Sequence, residues 1–145
     1  MKTILNILLY IWQLPQNLLA LIWTAILCIF HEKPEIRDYK GVKYVWFKKW
    51  PNGVSLGHYV VIGDYYEQRL ETINHEYGHT RQSLYLGPLY LLLIGLPSGL
   101  WNLIDRLLMN VDPKWTYKRS YRIYYSMPWE HWADVLGGVE RHFED

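Results

Sequence analysis

The segment His75-Glu76-Tyr77-Gly78-His79 holds two histidines four positions apart and a glutamate beside the first. On a helix, residues four apart lie on one face, so His75 and His79 can bind the same metal ion. Zinc prefers neutral imidazole nitrogens with an oxygen donor and, in catalytic sites, keeps one position for water. Glu76 can take the proton of that water without binding the metal. The pattern predicts a hydrolytic site with Zn²⁺ as its cofactor.

A catalytic zinc site needs a third protein ligand, and residues 130–134 (EHWAD) offer one near the end of the chain. Glu130 can supply the oxygen donor. Asp134 follows one turn later on the same face and can accept a hydrogen bond from a ligand histidine, which fixes the tautomer of the ring. The reverse assignment, with Asp134 as the ligand, stays open. Ala133 is small, so this helix can approach the helix of His75 closely.

Hydrolysis of a carbonyl compound also needs a donor that stabilises the oxyanion. The sequence leaves four candidates for this role: Tyr124, Tyr125, His131 and Arg81. Peptides commonly bind beside such sites by adding a strand to the edge of a sheet. The run from Val54 to Ile62 is the predicted docking strand, and a peptide or protein is the expected substrate.

The elements before the motif are β-rich. Runs from Val42 to Trp50 and from Val54 to Ile62 flank Pro51-Asn52-Gly53, and Asn-Gly between such runs is typical of a hairpin. The charged stretch 31–40 contains a proline and reads as a linker.

A helix is expected to carry the motif itself. Asp64 is its predicted N-cap, and Glu67 would complete a capping box. Gly87-Pro88 predicts that the helix ends at about Leu86.

Residues 1–30 are apolar and carry a single side-chain charge, at Lys2. The run from Ile4 to Phe30 exceeds the twenty or so residues that cross a bilayer as a helix. A membrane helix is therefore predicted, with a long core helix, or two helices broken at Pro15, as the alternative.

Residues 84–109 form a second apolar segment, which lies between the two halves of the predicted site. Glycines and prolines interrupt it, and two short helices flanking Gly95 to Gly99 are expected to dip into one leaflet of a membrane. Residues 114–125 then interleave basic and aromatic side chains, which suits a lipid headgroup layer or an amphipathic strand or helix. A final helix is predicted from Pro128, at its first position, to Leu136.

Composition narrows the class of partner. The chain has 145 residues, of which fifteen are basic and fourteen acidic, so nothing electrostatic favours a nucleic acid as partner. Thirteen Tyr and eight Trp suit a membrane interface or a cleft. The single cysteine, Cys28, excludes an intrachain disulfide and a cysteine-based zinc site.

The HExxH and E-x-x-x-D motifs together resemble the gluzincin arrangement of thermolysin-like zinc peptidases. This resemblance implies that His75, His79 and Glu130 are the ligands, that Glu76 is the general base and that Asp134 orients a ligand histidine. It covers only two helices, and the separation of the two motifs is much longer than in thermolysin. The substrate cleft of that family is therefore not carried over.

A wider set of residues is similar to a group of small uncharacterised bacterial membrane-associated proteins with an HExxH motif. It comprises the motif, Gln82, the segments 86–91 and 95–98, and the late Glu130, Ala133 and Asp134. This resemblance extends over most of the chain after residue 50 and brings no known substrate.

The expected fold class is therefore α+β. It combines an N-terminal hydrophobic helix (1–30) with a single domain (31–145) that contains a small antiparallel hairpin or sheet, a zinc-binding helix, the apolar insertion at 84–109 and a C-terminal helix with the third ligand. The expected function is that of a membrane-associated zinc metallopeptidase. Two alternatives remain: an interfacial zinc hydrolase of lipid amides or esters, and a non-enzymatic membrane protein whose zinc is absent or structural, with His131 or His58 as a fourth ligand.

Overall fold

The computed structural model describes residues 2–63 and 70–143. Helices and a four-stranded sheet make a mixed α+β fold, as predicted. Asp64 and Glu67, the expected capping box, lie outside the described residues.

The N-terminal region consists of two helices, α1 (Lys2–Trp12) and α2 (Leu14–Phe30), which meet at an angle of 77°. Pro15 lies in the first turn of α2, where a missing N–H is tolerated. The structure therefore has two helices broken near Pro15, and insertion of this region into a membrane stays a prediction. Asn17, buried at the bend, accepts a 2.8 Å hydrogen bond from the His58 backbone N–H and thereby holds α2 against the sheet.

The sheet contains β1 (Glu35–Tyr39), β2 (Val42–Phe47), β3 (Gly53–Leu56) and β4 (Tyr59–Gly63) in the order β1-β2-β4-β3. β2 and β4 are parallel, whereas the two outer pairs are antiparallel.

The predicted hairpin around Asn52-Gly53 is wrong. The tight turns are at Lys40-Gly41, where φ is 50° and 80°, and at Gly57-His58, where Gly57 has a φ of 64°. Positive φ at both central residues is the requirement of a type I′ hairpin turn. The predicted linker 31–40 accordingly contains β1.

Burial of Trp50 explains the failed hairpin. Its side chain is 7% exposed and packs with Leu27, Phe47 and Val61, so the connection after β2 folds into the core instead of turning back. A Cβ on Gly63 would lie 1.6 Å from the Trp50 carbonyl oxygen, which shows how closely the two backbones approach.

Both faces of the sheet are covered. Leu27 of α2 packs against one face, whereas Ile73 and Tyr77 pack against the other face at Val60 and Ile62. Ile73 and Tyr77 belong to α3 (Leu70–Leu86), the helix of the HExxH motif, which ends where it was predicted to end.

The apolar segment after α3 is less broken than expected. A 3₁₀ turn (Gly87–Leu89) and a π-helical turn (Leu91–Gly95) lead directly into α4 (Leu96–Val111). The prediction of a break at Gly95 to Gly99 is wrong, because Pro97 falls in the first turn of α4, where it needs no N–H partner. Together, Leu91–Val111 form a helix of 21 residues that is long and apolar enough to cross a membrane, and only 11% of the residues in its most apolar 18-residue stretch are buried.

Two further helices complete the described chain, α5 (Tyr117–Ser126) and α6 (Pro128–Gly137). The predicted helix from Pro128 is confirmed, and the basic and aromatic stretch proves to be helical from Tyr117. Asp105 of α4 accepts a 2.6 Å hydrogen bond from Ser120 of α5 and so joins these two helices.

Candidate metal centre

The backbones of helices α3 and α6 are in direct contact, because Gly78 and Gly137 have no side chain to hold them apart. A Cβ on Gly78 would lie 1.9 Å from the Ala133 carbonyl oxygen, and one on Gly137 would lie 2.1 Å from the Asn74 carbonyl oxygen. Any larger residue would push the helices apart. The expectation that the small Ala133 permits close approach is confirmed, and Gly78 is the residue that Ala133 meets.

This packing brings His75, His79 and Glu130 together in the interior, where they are 3%, 6% and 0% exposed. The Nε2 atoms of both histidines lie 3.1 Å from Oε2 of Glu130. One potential ligand atom from each of the three residues lies within 4.8 Å of the others. The group of three predicted ligands therefore assembles as one cluster that can hold a metal ion.

Each histidine is oriented through its other ring nitrogen. Nδ1 of His75 donates to Oδ1 of Asp134 at 2.7 Å, and Nδ1 of His79 donates to Oε1 of Gln82 at 2.8 Å. The amide of Gln82 in turn donates to the Trp129 carbonyl, which fixes its oxygen toward the ring. With Nδ1 occupied in this way, each Nε2 is the nitrogen left for a metal.

Arg141 holds Asp134 in place. Its guanidinium donates to both carboxylate oxygens, at 2.6 and 2.9 Å. The same guanidinium lies 3.3 Å from the ring centroid of Tyr125, whose ring packs edge-on against His75 at 5.1 Å. Asp134 is thus a partner of His75, and the alternative that made it the ligand is not favoured.

Glu130 is held from a different part of the chain. Ser98 of α4 donates to Oε1 at 2.5 Å, and the Tyr124 hydroxyl lies 3.3 Å from the same serine oxygen. One carboxylate oxygen is therefore engaged by α4 while the other faces the histidines. The helix that is long enough to span a membrane makes a direct hydrogen bond to a candidate metal ligand.

When no metal is bound, the buried residues of the cluster determine one another's pKa values. Burial alone would lower the pKa of His75, but its hydrogen bonds with Asp134 and Glu130 outweigh burial and raise the pKa to about 9. Burial likewise opposes ionisation of Glu130, yet the two histidines hold the pKa of its carboxyl well below the usual value. A metal cation would therefore replace protons here, and its charge would take over their stabilising role.

The donor set fits zinc. Two imidazole nitrogens and one carboxylate oxygen are the ligands of many catalytic zinc sites, and a tetrahedral ion with bonds of about 2.05 Å separates its ligands by about 3.3 Å. The 3.1 Å separations in the cluster are close to that value. Within the described ranges the group has three ligands, which leaves a fourth position open.

Glu76 faces the sheet edge. Its Oε2 accepts a 2.5 Å hydrogen bond from the Ser55 hydroxyl of β3, and a Cβ on Gly53 would lie 3.0 Å from Oε1. The Ser55 carbonyl accepts a hydrogen bond from Tyr90 at 3.1 Å. The edge strand next to the candidate base is thus β3, whereas residues 59–62 of the predicted docking strand lie inside the sheet.

The candidate oxyanion donors are placed differently from one another. The Tyr124 hydroxyl is linked to Glu130 by two hydrogen bonds that share the hydroxyl of Ser98. Tyr125 packs on His75 through its ring. His131 is exposed, and Arg81 contacts Tyr85 on another side of α3. None of the described contacts brings these last two to the cluster.

Several residues that support the site were not singled out for their roles from the sequence. Gln82 carried a local signal, because it follows His79 by three positions on one helix face. Arg141, Ser98 and Ser55 gave no such signal, because their partners are distant in sequence or belong to another element.

Comparison with known proteins does not assign this chain to a family. A scan against protein-family models, a search of curated proteins and a search of solved structures each found no match to this chain. Fold and site together define an α+β protein with a buried two-histidine, one-glutamate group that can hold a metal ion.

Proposed function

We propose that this protein is a membrane-associated zinc metallopeptidase. The observation that carries the proposal is the convergence of His75, His79 and Glu130, each with a second partner that fixes its orientation, beside an HExxH glutamate at a sheet edge. Structural zinc sites are closed by four protein ligands, whereas catalytic sites keep a position for water. Three ligands therefore favour catalysis.

Zinc bound there would supply a Lewis acid that acidifies water and polarises the substrate carbonyl. Glu76 accepts the proton of the attacking water and later delivers it to the leaving amine. The Ser55 hydroxyl, which donates to Glu76, holds the carboxylate in its orientation. Tyr124 is the favoured oxyanion donor, because burial raises the pKa of its phenol well above the usual value and so keeps its proton.

A peptide substrate would pair with the outer edge of β3. The sheet order leaves the outer side of β3 without a neighbouring strand among those described, and the Tyr90 hydroxyl, which donates to the Ser55 carbonyl, would have to give way to the peptide. Gly53 and Ser55 of this strand both approach the Glu76 carboxylate. A peptide that extends the sheet here has its backbone beside the candidate base, and its main-chain hydrogen bonds supply affinity without demanding a particular sequence.

The membrane part of the proposal rests on α4 and the N-terminal pair. Helix Leu91–Val111 meets the length and hydropathy of a membrane-crossing helix, and α1 with α2 would do so as a bent pair. Since Ser98 joins α4 to Glu130, the site would sit where this helix meets the rest of the protein.

Metal analysis of the purified full chain beside the Glu130→Gln variant tests the ligand assignment. We expect close to one zinc per wild-type chain and loss of zinc in the variant, because an amide is a poor substitute for the carboxylate. Glu140→Gln is the matched control, since that glutamate is exposed in the described chain. Equal zinc in wild type and Glu130→Gln would refute the assignment.

Hydrolysis is tested with Glu76→Gln. This variant should retain zinc and lose peptide hydrolysis by about 10²-fold or more, because general-base catalysis contributes about that much. Full activity with zinc bound would disprove the mechanism.

The contact between apolar α4 and Glu130 also favours a second candidate function, hydrolysis of lipid amides or esters at a membrane surface. A panel of peptides and of lipid amides and esters, assayed with wild type and Glu76→Gln in parallel, separates the two. Cleavage of lipids alone would replace the peptidase proposal.

A further inference from the structure

Helix α3 presents two different polar faces. His75, Gly78, His79 and Gln82 follow the i, i+3, i+4, i+7 spacing of one stripe and face α6. A second stripe with the same spacing contains Tyr77, Thr80, Arg81 and Leu84. This second stripe lines a cavity on the side of the helix toward α1, and the metal centre uses none of its residues.

The cavity has a volume of about 610 Å³ and three walls. One wall is α3, the second is α1, and the third consists of the two turns at Lys40-Gly41 and Gly57-His58. Small-molecule sites in proteins have volumes of about 300–1,000 Å³. Two hydrogen bonds hold α1 over the cavity, from Trp12 to the Leu84 carbonyl at 3.0 Å and between the hydroxyls of Tyr10 and Tyr59 at 3.3 Å.

The charge on the walls is positive. Lys40 and Arg81 line the cavity, and its described lining contains no carboxylate. Lys40 Nζ lies 4.9 Å from the ring centroid of Tyr77 and donates to the neutral amide of Asn74 at 3.1 Å. Arg81 follows Tyr77 by one turn of α3 and packs over the ring of Tyr85, so each cation lies against a tyrosine while lining the same cavity.

Neither cation has a carboxylate partner within the described ranges. The contacts of Arg81 are with the ring and hydroxyl of Tyr85, and those of Lys40 are with Asn74 and two tyrosine rings. Two cations that line one cavity without a counter-charge favour the binding of an anion there, and an arginine pairs readily with both oxygens of a carboxylate or a phosphate.

The rest of the lining is mixed, with polar side chains such as Thr3, Asn6 and Gln13 beside apolar ones. Ile7, Ile11 and Leu84 line the cavity, and the outer side of α1 exposes Ile4, Leu5 and Leu8 at 55–65%. An occupant that enters beside α1 therefore meets apolar side chains of that helix as well as the two cations. That distribution matches a molecule with a charged head and a hydrocarbon chain.

We propose that the cavity between α1 and α3 binds an anionic single-chain amphiphile. Its carboxylate or phosphate headgroup pairs with Lys40 and Arg81, and its chain lies along Ile7 and Ile11 beneath α1. The site is separate from the metal centre, and the proposal goes beyond the proposed hydrolytic function and does not depend on it.

Titration calorimetry on the purified full chain in a neutral detergent tests this site. The probes are myristate, lysophosphatidate, a neutral monoacylglycerol of the same chain length and inorganic phosphate. We expect both anionic amphiphiles to bind at least about tenfold more tightly than the monoacylglycerol, because a hydrogen bond to a charged group is worth about that factor. Inorganic phosphate should bind more weakly than lysophosphatidate, because it gains nothing from the apolar wall.

The double variant Lys40→Gln/Arg81→Gln should lose that preference for anionic heads and leave binding of the monoacylglycerol unchanged. The matched control is Lys43→Gln/Arg106→Gln, which removes two cations that do not line the cavity, the half-buried Lys43 and the exposed Arg106, and should bind as wild type does. Zinc content should be equal in all three proteins, so failure of this site and failure of the metal centre are distinguishable.

Three outcomes would overturn the proposal: equal affinity for charged and neutral amphiphiles, undiminished binding of myristate by the double variant, or equal affinity for phosphate and lysophosphatidate. The last of these would mean an anion site without an amphiphile.

Discussion

The metal centre and the outer face of α4 reverse the usual distribution of polar and apolar side chains. His75, His79 and Glu130 are at most 6% exposed, whereas Leu96, Leu100, Leu103 and Leu107 on one stripe of α4 are 54–62% exposed. Burying charged groups is costly unless they are paired, and each exposed leucine forgoes about 1.5–3 kcal/mol of burial. A bound cation in the first region and a surrounding apolar phase at the second would each remove this cost, as the proposed function requires.

The two regions also differ in how tightly they are specified. Each residue of the metal centre has hydrogen bonds that come from α3, α4, α6 or the segment after α6. The outer stripe of α4 carries no such pattern and needs only to be apolar. Substitutions at the metal centre should therefore have large effects that depend on the exact side chain. Substitutions on the outer stripe of α4 should matter only through the change in hydrophobicity.

Gly78→Ala should have the largest effect. The added Cβ would meet the Ala133 carbonyl oxygen at 1.9 Å, so α3 and α6 must separate and the ligands with them. We expect a loss of about 3 kcal/mol or more in the free energy of unfolding, together with loss of zinc. Urea denaturation and metal analysis measure both.

The control for this prediction is Gly99→Ala in α4, where a Cβ meets nothing within 4 Å. Alanine is the better helix former by about 1 kcal/mol, so this variant should be slightly more stable than wild type. If both alanine variants behaved alike, the close packing of α3 on α6 would not be what positions the ligands.

Leu100→Asp tests the apolar region. Leu100 lies near the middle of the Leu91–Val111 helix and is 54% exposed. If lipid covers this face, the charge should reduce partitioning into neutral phospholipid vesicles by about 3 kcal/mol, roughly a hundredfold. Zinc content should not change. Flotation of the vesicles measures the partitioning.

Val135→Asp is the matched control, because Val135 is 62% exposed on α6, away from the apolar helices. It should leave partitioning unaltered. Equal partitioning of the two aspartate variants and wild type would argue that α4 does not enter lipid.

Ser98→Ala tests the one described contact that joins the two regions. Without the hydroxyl, Oε1 of Glu130 loses its partner and the carboxylate can rotate, so zinc affinity should fall about tenfold. Competition with a chelator measures the affinity. Ser126→Ala is the control, because that hydroxyl bonds only to a carbonyl of its own helix. Unchanged zinc affinity in Ser98→Ala would mean that α4 is mechanically independent of the site.

The ligands themselves could be predicted because the chemistry is local. His75 and His79 are one turn apart, as are Glu130 and Asp134, so the helical period alone placed each pair on a face. Pro128 and Gly87-Pro88 likewise marked helix ends through local backbone chemistry.

Long-range packing explains what could not be predicted. Asn52-Gly53 is a strong hairpin signal, yet burial of Trp50 in a core built from α2 and the sheet overrides it. The parallel pairing of β2 with β4 follows from that crossover. Ser98 and Arg141 reach the site only because α4 and the C-terminal segment pack there, and no sequence spacing reports such packing.

The smallest expected effect concerns how the stability of the protein depends on pH, through His75 in the metal centre and His58 outside it. In the zinc-free protein the pKa of His75 is raised to about 9, so its contribution to stability is full below about pH 6.5 and is lost as pH rises through 9. His58, at the turn beneath α1, behaves in the opposite way. Burial first, and the nearby Lys43 second, lower its pKa, and the weaker influence of Asp38 does not reverse this.

The contribution of His58 is therefore full above about pH 6.5 and is lost as pH falls below that value. Between pH 7 and pH 9, the urea midpoint of His58→Gln should change as much as that of wild type. Between pH 7 and pH 5.5, the variant should lose less stability than wild type. Zinc should abolish the alkaline loss in both proteins, because a metal ligand carries no proton to release. If stability still fell at alkaline pH with zinc bound, His75 would not be a ligand. If wild type and His58→Gln lost the same stability between pH 7 and pH 5.5, His58 would gain no charge in that range.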